Sequence, residues 1–280
     1  MTIVVAGATG TVGQWIVKEL DAAGHHVRAL TRSPQRAQFP ASVEVVQGDL
    51  ADPESLRAAL DGASALHLIN FDAGGPYGPA ALQTGPEIVQ LAIDAGVKRI
   101  TVLLGAGNGN IETAVAASGL SWTFLQPVEF MTGALDWADS VRADGTVREP
   151  FVQRRSAMVH PADIGAVAAS VLVDGDHDGQ TYVITGPQAL TVADKVDILS
   201  DVLGRDLRLD EMTEQEARDD WAAAGLPTEV IDYLIGALKD TPESGYTVTS
   251  TVEDITGRAP RTFRQWAQDN LDAFDVAPGR

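Results

Sequence analysis

Cysteine is absent from the 280 residues, which excludes a disulfide framework, a thiolate nucleophile and any cysteine-based zinc site. Positive charge is scarce: 20 Lys and Arg stand against 39 Asp and Glu, a formal net charge of −19. Such a chain has no basic face with which to release counterions from a phosphate backbone, so no nucleic-acid partner is expected. Long apolar runs are missing too. None approaches the ~20 residues that span a bilayer, and no membrane partner is expected. Residues 2–6 already have strand character and no basic stretch precedes them, so no secretory signal is expected and the chain reads as cytoplasmic. A Gly-x-Ser-x-Gly elbow is lacking, which leaves a serine hydrolase without support. No metal site is expected: Asp174-Gly175-Asp176-His177-Asp178-Gly179 imitates the start of a calcium loop, but its twelfth position is Thr185 rather than Glu.

What is present begins at once. The apolar run 2–6 leads into Gly7-Ala8-Thr9-Gly10-Thr11-Val12-Gly13, after which Val12, Ile16 and Leu20 recur at helical spacing. A glycine-rich turn therefore joins a strand to a helix, where backbone N–H groups and the positive end of the helix can hold a pyrophosphate. Gly7 serves the tight turn, Gly10 the approach of the diphosphate, and Gly13 the close packing of helix on sheet. The G-x-x-G-x-x-G spacing is the short-chain-dehydrogenase variant of the dinucleotide fingerprint, and Gly7, Thr9, Gly10, Thr11, Val12 and Gly13 are its expected contacts.

Strands are expected over 26–31, 43–47, 65–70, 98–104 and 121–125, with helices over 53–60, 80–95 and 111–118 between them, and Leu82, Ile88, Leu91 and Ile93 are the candidate buried positions of the helix over 80–95. Such alternation predicts an α/β fold: a Rossmann-like, doubly wound parallel sheet covered on both faces. Beyond Pro127 the rhythm loosens. Residues 161–173 read as an apolar helix, 181–185 as a returning strand, and the remainder as a smaller, mostly helical substrate cap. The expected division is a dinucleotide-binding core of residues 1–127, joined by 159–187, and a cap region of 128–158 and 188–280.

Ligands of such sheets lie beyond the carboxyl ends of the strands. At the end of the second strand stand Arg32 and Ser33, with no carboxylate between His25 and Ala41. An arginine there suits a 2′-phosphate, whereas an acidic residue would suit the free ribose hydroxyl. NADP(H) is therefore preferred, with NAD(H) possible. The alternative for Arg32 is a solvated surface arginine. Asp49 and Leu50, after the third strand, are expected at the adenine; Asp52 is the better candidate to cap the helix that follows. Ile69, Asn70, Gly105 and Pro127 are expected around the ribose and nicotinamide. Phe71, Tyr77, Phe130, Met131 and Trp137 are candidate walls of an apolar substrate pocket, and core packing is the competing account of each.

Several stretches together resemble the NmrA-like family, the atypical short-chain dehydrogenase group that includes NAD(P)H:quinone oxidoreductases and azoreductase-like proteins. They are the glycine turn, Leu30-Thr31-Arg32-Ser33-Pro34, Gly48-Asp49-Leu50, Gly96-Val97-Lys98-Arg99-Ile100 and Ser118-Gly119-Leu120-Ser121-Trp122-Thr123. Pro127 with Phe130-Met131, Val159-His160-Pro161-Ala162-Asp163-Ile164, and Val252-Glu253-Asp254-Ile255-Thr256-Gly257 with Pro260-Arg261-Thr262-Phe263 complete them.

The departures from short-chain dehydrogenases are as informative. None of the four tyrosines has a lysine four positions on, so the Tyr-x-x-x-Lys pair is absent; the serine expected after the fifth strand gives way to Leu104-Gly105-Ala106. Where many family members carry a histidine four residues before a glutamate, Asn108 precedes Glu112. The resemblance places His160 near the cleft, with a structural role as the alternative, and the catalytic candidates are Asn108, His160 and Tyr77. Hydride transfer belongs to the cofactor. An electron-poor partner can therefore be reduced without a protein acid, and the expected reaction is NADPH-dependent reduction of a planar conjugated acceptor such as a quinone, an aromatic or an enone. The alternative implied by the family is a non-catalytic NADP(H)-sensing regulator acting through a protein partner. A monomer or homodimer is expected in either case.

Overall fold

A computed structural model describes the chain except for residues 73–79, 106–108 and 275–280. Its contacts divide the chain into two compact units: Met1–Pro127 with Pro161–Ile184 and Thr251–Arg258, and Val128–His160 with Thr185–Ser250 and Ala259–Arg280. The segment Thr251–Arg258, read from the sequence as part of the cap region, makes its contacts in the first unit.

The first unit is built on seven strands: β1 (Thr2–Val5), β2 (His26–Thr31), β3 (Glu44–Gln47), β4 (Ala65–Ile69), β5 (Arg99–Leu103), β6 (Ser121–Pro127) and β7 (Gln180–Ile184). They lie in the order β7-β6-β5-β4-β1-β2-β3 and every neighbouring pair is parallel. This is the Rossmann-like sheet the alternation predicts. Ile3, Val4 and Val5 in the central strand are buried without alternation, as a sheet covered on both faces requires. On one side pack α1 (Gly13–Ala22) and α5 (Pro161–Val173), whose residues are buried almost all round. Gly165 permits that packing, since a Cβ there would meet the Cβ of Trp15 at 2.5 Å. The Arg99 guanidinium donates to the carbonyl of Leu172 at 2.7 Å, satisfying one of the open acceptors at the end of α5. α2 (Arg57–Leu60), α3 (Gly85–Asp94) and α4 (Ile111–Ala116) contribute Leu60, Ile88, Leu91 and Val115 to the other layer.

Three local expectations are corrected. The helix expected from residue 80 starts at Gly85, where Pro86 occupies the first turn with its fixed φ and missing N–H. Ile93, expected to be buried, is 37% exposed because it falls on the solvent side of α3. Asp52 precedes a short 3₁₀ turn, Pro53–Leu56, and its side chain makes no capping hydrogen bond.

The second unit is less purely helical than expected. It holds a parallel pair, Thr146–Pro150 with Arg208–Met212, and a two-residue antiparallel pair, Arg155–Ser156 with Leu190–Thr191. Its core gathers Met131, Trp137, Val141, Val147, Val196, Leu199, Phe263, Trp266 and Phe274. Thr191, Thr213 and Thr262 each open a helix with a complete capping box, satisfying end groups that would otherwise be orphaned. Among the described residues no helix is long and apolar enough to cross a membrane.

His67 lies in the middle of β4, buried, with its Nδ1 2.8 Å from the Thr101 hydroxyl. Burial pushes its pKa down to about 3, so the folded chain keeps the ring neutral. The unfolded chain takes up a proton from about pH 6.5 downward, so stability from this group is present above that pH and drains away toward pH 3. Between pH 7 and pH 5 the wild type should lose about 2 kcal/mol more than His67→Asn, which keeps a partner for Thr101 and does not titrate. Urea unfolding at the two pH values measures the difference, and equal losses would contradict it.

Candidate functional site

The site is assembled at the carboxyl ends of β1, β2 and β4 in the first unit. Gly7 leaves β1 with φ +62°, a left-handed conformation that glycine adopts without strain, and its carbonyl accepts from the N–H of Gly10 at 2.8 Å. Gly13 then enters α1 so close to the turn that a Cβ would lie 2.1 Å from the Gly7 oxygen. Thr9, Gly10 and Thr11 are exposed, while Val12 and Gly13 are buried beneath them. No side chain caps α1 and no acidic residue occupies its first turn. The start of the helix therefore offers backbone donors and its positive dipole end to an anion, and the missing side chains leave room for a diphosphate. The residues present fit a dinucleotide.

Around this turn stand the other sequence-derived candidates. Ile69, at the end of β4, places its Cδ1 3.5 Å from the Cβ position of Gly7. Arg32 is exposed immediately after β2, and Ser33, half-buried, donates its backbone N–H to the Thr31 hydroxyl at 3.2 Å. Asp49 is tied into its own turn: Oδ1 accepts from the Ala51 N–H at 3.0 Å, and its backbone N–H donates to the Ser55 hydroxyl at 2.9 Å. Leu50 is buried in the core, its carbonyl accepting from the Thr84 hydroxyl at 2.6 Å. Pro127, half-buried, pairs with Ile184 at the end of β6.

Asn70 is the organiser of the β4 and β5 ends. Its side-chain oxygen accepts from the Gly105 N–H at 2.7 Å, and its amide nitrogen donates to Glu112 Oε1 at 2.6 Å. Glu112 Oε2 is buried and has no hydrogen-bond partner among the described residues. Phe71 lies against Gly105, where a Cβ would come within 2.4 Å of the ring. Glu112, known to the sequence reading only as a spacing marker, is thus a working part of this end of the sheet. The carboxylate at position i+1 of α4 was the available signal. Tyr77 and Asn108 lie outside the described residues.

The remaining candidates belong to the second unit. His160 is buried, and Phe130 is half-buried with a parallel bridge to Val159 through its backbone. Met131 and Trp137 are packed into the core of that unit. The Trp137 indole donates to Glu149 Oε1 at 2.7 Å, and behind it runs a chain of charges. Arg154 reaches Glu149 at 3.7 Å and Glu129 at 3.2 Å, and Lys195, fully buried, lies 3.6 Å from Glu129 and donates to the Ser156 hydroxyl at 2.7 Å. Burial lowers the Lys195 amine to about 8 and raises Glu149 above its ordinary value. Burial would raise Glu129 as well, but Lys195 and Arg154 beside it hold it below the usual range. No metal-holding cluster of His, Asp or Glu occurs among the described residues.

A seven-stranded parallel sheet with a glycine turn at the head of its first helix defines the class: a nucleotide-binding α/β protein. A family model described as NAD(P)H-binding matches residues 7–113. A (4-alkanoyl-5-oxo-2,5-dihydrofuran-3-yl)methyl phosphate reductase of Streptomyces griseus is 34% identical over 286 residues, covering 97% of this chain and 99% of its own. An NAD(P)H azoreductase of Xenophilus azovorans is 32% identical over 291 residues, covering 98% and 100%. The solved structure of an NADPH-dependent quinone oxidoreductase from Escherichia coli, complexed with NADPH, superposes with a TM-score of 0.81 at 23% identity over 97% of this chain and 100% of that one. The chain belongs to the family of NAD(P)H-binding reductases that includes these two relatives.

Two substitutions test this construction. Gly13→Ala should cost about 2 kcal/mol or more, because all three atoms it strikes are backbone, and it should abolish dinucleotide binding. Gly133→Ala, with open space around its Cβ position, is the neutral control; equal behaviour of the two in thermal unfolding and cofactor titration would refute the close-approach argument. In the second unit, Lys195→Met should destabilise by about 3 kcal/mol by leaving Glu129 short of a buried partner. A loss under 1 kcal/mol in chemical unfolding would show the chain of charges to be dispensable.

Proposed function

We propose that this reductase uses NADPH in preference to NADH and delivers hydride to a planar conjugated acceptor of the quinone, azo or enone kind. The observation that carries the cofactor preference is Arg32: it is exposed at the carboxyl end of β2, one strand from the glycine turn, in a connection without any carboxylate from residue 26 to residue 40. A guanidinium there forms charge-assisted bonds to a 2′-phosphate, and a chain of net charge −19 has little background positive potential to substitute for it.

NADPH, when bound, supplies the hydride. The protein's part is to hold and orient. The backbone donors of Thr11 to Gly13 take the diphosphate, Arg32 with Ser33 takes the 2′-phosphate, and Asp49 and Leu50 border the adenine. Asn70, pinned by Glu112 and Gly105, fixes the strand ends at the nicotinamide side together with Ile69 and Pro127. With no Tyr-x-x-x-Lys pair in the chain, a simple ketone would lack the protein acid it needs. A conjugated acceptor delocalises the incoming electron pair and takes its proton from water. The two relatives support this reading. One is named for azo compounds, the other for an unsaturated furan ring carrying an acyl and an oxo group. The reading is of a cytoplasmic enzyme with a small-molecule substrate, working as a monomer or homodimer.

NADPH consumption should be measured against a panel of quinones, azo dyes, conjugated enones and simple ketones. Turnover is expected with members of the first three groups and not with the ketones. Tight NADPH binding with no turnover on any acceptor would reject the reading in favour of a cofactor-sensing role. Arg32→Ala should weaken NADPH by roughly ten- to a hundred-fold, the worth of one charge-assisted pair, and leave NADH nearly unchanged. Equal loss for both nucleotides would remove the NADPH preference.

A further inference from the structure

The Arg32 guanidinium is already engaged. Its Nη1 lies 3.3 Å from Oδ1 of Asp72, forty positions further along the chain. Asp72 belongs to the two-residue strand Phe71–Asp72, just past the end of β4. β2 and β4 are not neighbours: each pairs with β1, on opposite sides of it. An ion pair from the end of β2 to the exit of β4 must therefore pass over the carboxyl end of β1, where the turn Gly7 to Gly13 begins. Both side chains remain open to solvent, Arg32 at 50% and Asp72 at 37%. An ion pair that exposed adds little to the stability of the fold and exchanges its partner readily.

We propose that Asp72 is a specificity-determining residue that competes with the 2′-phosphate for Arg32. The inference rests on the reading of Arg32 as the phosphate-binding residue. Without nucleotide, the Asp72 carboxylate holds the guanidinium across the turn. A dinucleotide bearing a 2′-phosphate replaces that carboxylate with a stronger, doubly charged acceptor, so the lost pair is exchanged for a better one. A dinucleotide with a free 2′-hydroxyl offers no such exchange and leaves the pair as it is. Asp72 thus sets how tightly NADPH binds without touching it in the bound state, and it tunes the ratio between the two nucleotides. The β2 connection itself holds no acidic residue from 26 to 40. The structure brings one there from β4.

The test is calorimetric titration of the full chain with NADPH and with NADH, for wild type, Asp72→Asn, Asp72→Ser, Arg32→Ala and the Asp72→Asn/Arg32→Ala double variant. Relieving the competition should tighten NADPH about two- to fivefold, the range measured for breaking an exposed ion pair. NADH should change by much less. Both Asp72 variants should agree, and the gain should disappear in the Arg32→Ala background. The same gain for both nucleotides, no gain for NADPH, or a gain that survives without Arg32 would each overturn the proposal. The underlying reading fails separately: Arg32→Ala would then weaken NADPH and NADH alike. A selective Arg32→Ala with an inert Asp72→Asn would sink the competition alone.

Discussion

Everything in the first unit depends on how closely Gly13 approaches the carbonyl of Gly7. The distance leaves no space for a Cβ, and that absence of atoms fixes where α1 begins relative to the end of β1. Once α1 is seated there, its uncapped N-terminus faces the carboxyl edge of the sheet, and its body can pack against α5, where Gly165 meets Trp15 and Ile16. A single steric constraint therefore yields both a packed layer and an anion cradle. The strands beside it, β2 and β4, place Arg32 and Ile69 at the same edge because parallel strands all end on one side of the sheet.

The two units solve different problems. In the first, polar groups are spent on holding strand ends: Asn70 bridges Gly105 and Glu112, Arg99 closes α5, and His67 with Thr101 settles two buried polar side chains between β4 and β5. In the second, an apolar core is crossed by a chain of alternating charges from Trp137 and Glu149 through Arg154 and Glu129 to Lys195 and Ser156. Such an arrangement gains little net stability over apolar packing, but losing any one member leaves a buried charge uncompensated. It constrains which residues can sit beside Trp137 more than it strengthens the unit.

Much of the fold was legible because the sheet's strands are short apolar runs separated by helical periodicity. His26–Thr31 and Pro161–Val173 match their expected limits residue for residue. What escaped was strand Thr146–Pro150 and most of its partner Arg208–Met212, of which the sequence suggests only a short strand at 207–209; the charged outward residues Arg148 and Asp210 disguise the alternation. Of the site, the glycine turn and Arg32 could be read because their chemistry is local. Asp72 and Glu112 could not, because their meaning lies in contacts 40 and 42 residues away in the chain. The candidate pocket residues Met131 and Trp137 show the converse: aromatic and sulfur side chains look alike in sequence whether they line a cleft or fill a core, and here both are buried in the core.

The central claim is that the turn from Gly7 to Gly13 holds the diphosphate of NADPH through its backbone N–H groups. The most direct measurement is an amide chemical-shift titration of the isotopically labelled chain with NADPH, read residue by residue. The largest changes should fall on Thr11, Val12 and Gly13, with Arg32 and Ser33 moving for NADPH and far less for NADH. Saturable binding that leaves the amides of Thr11 to Gly13 unshifted would contradict the account, whatever the protein's activity.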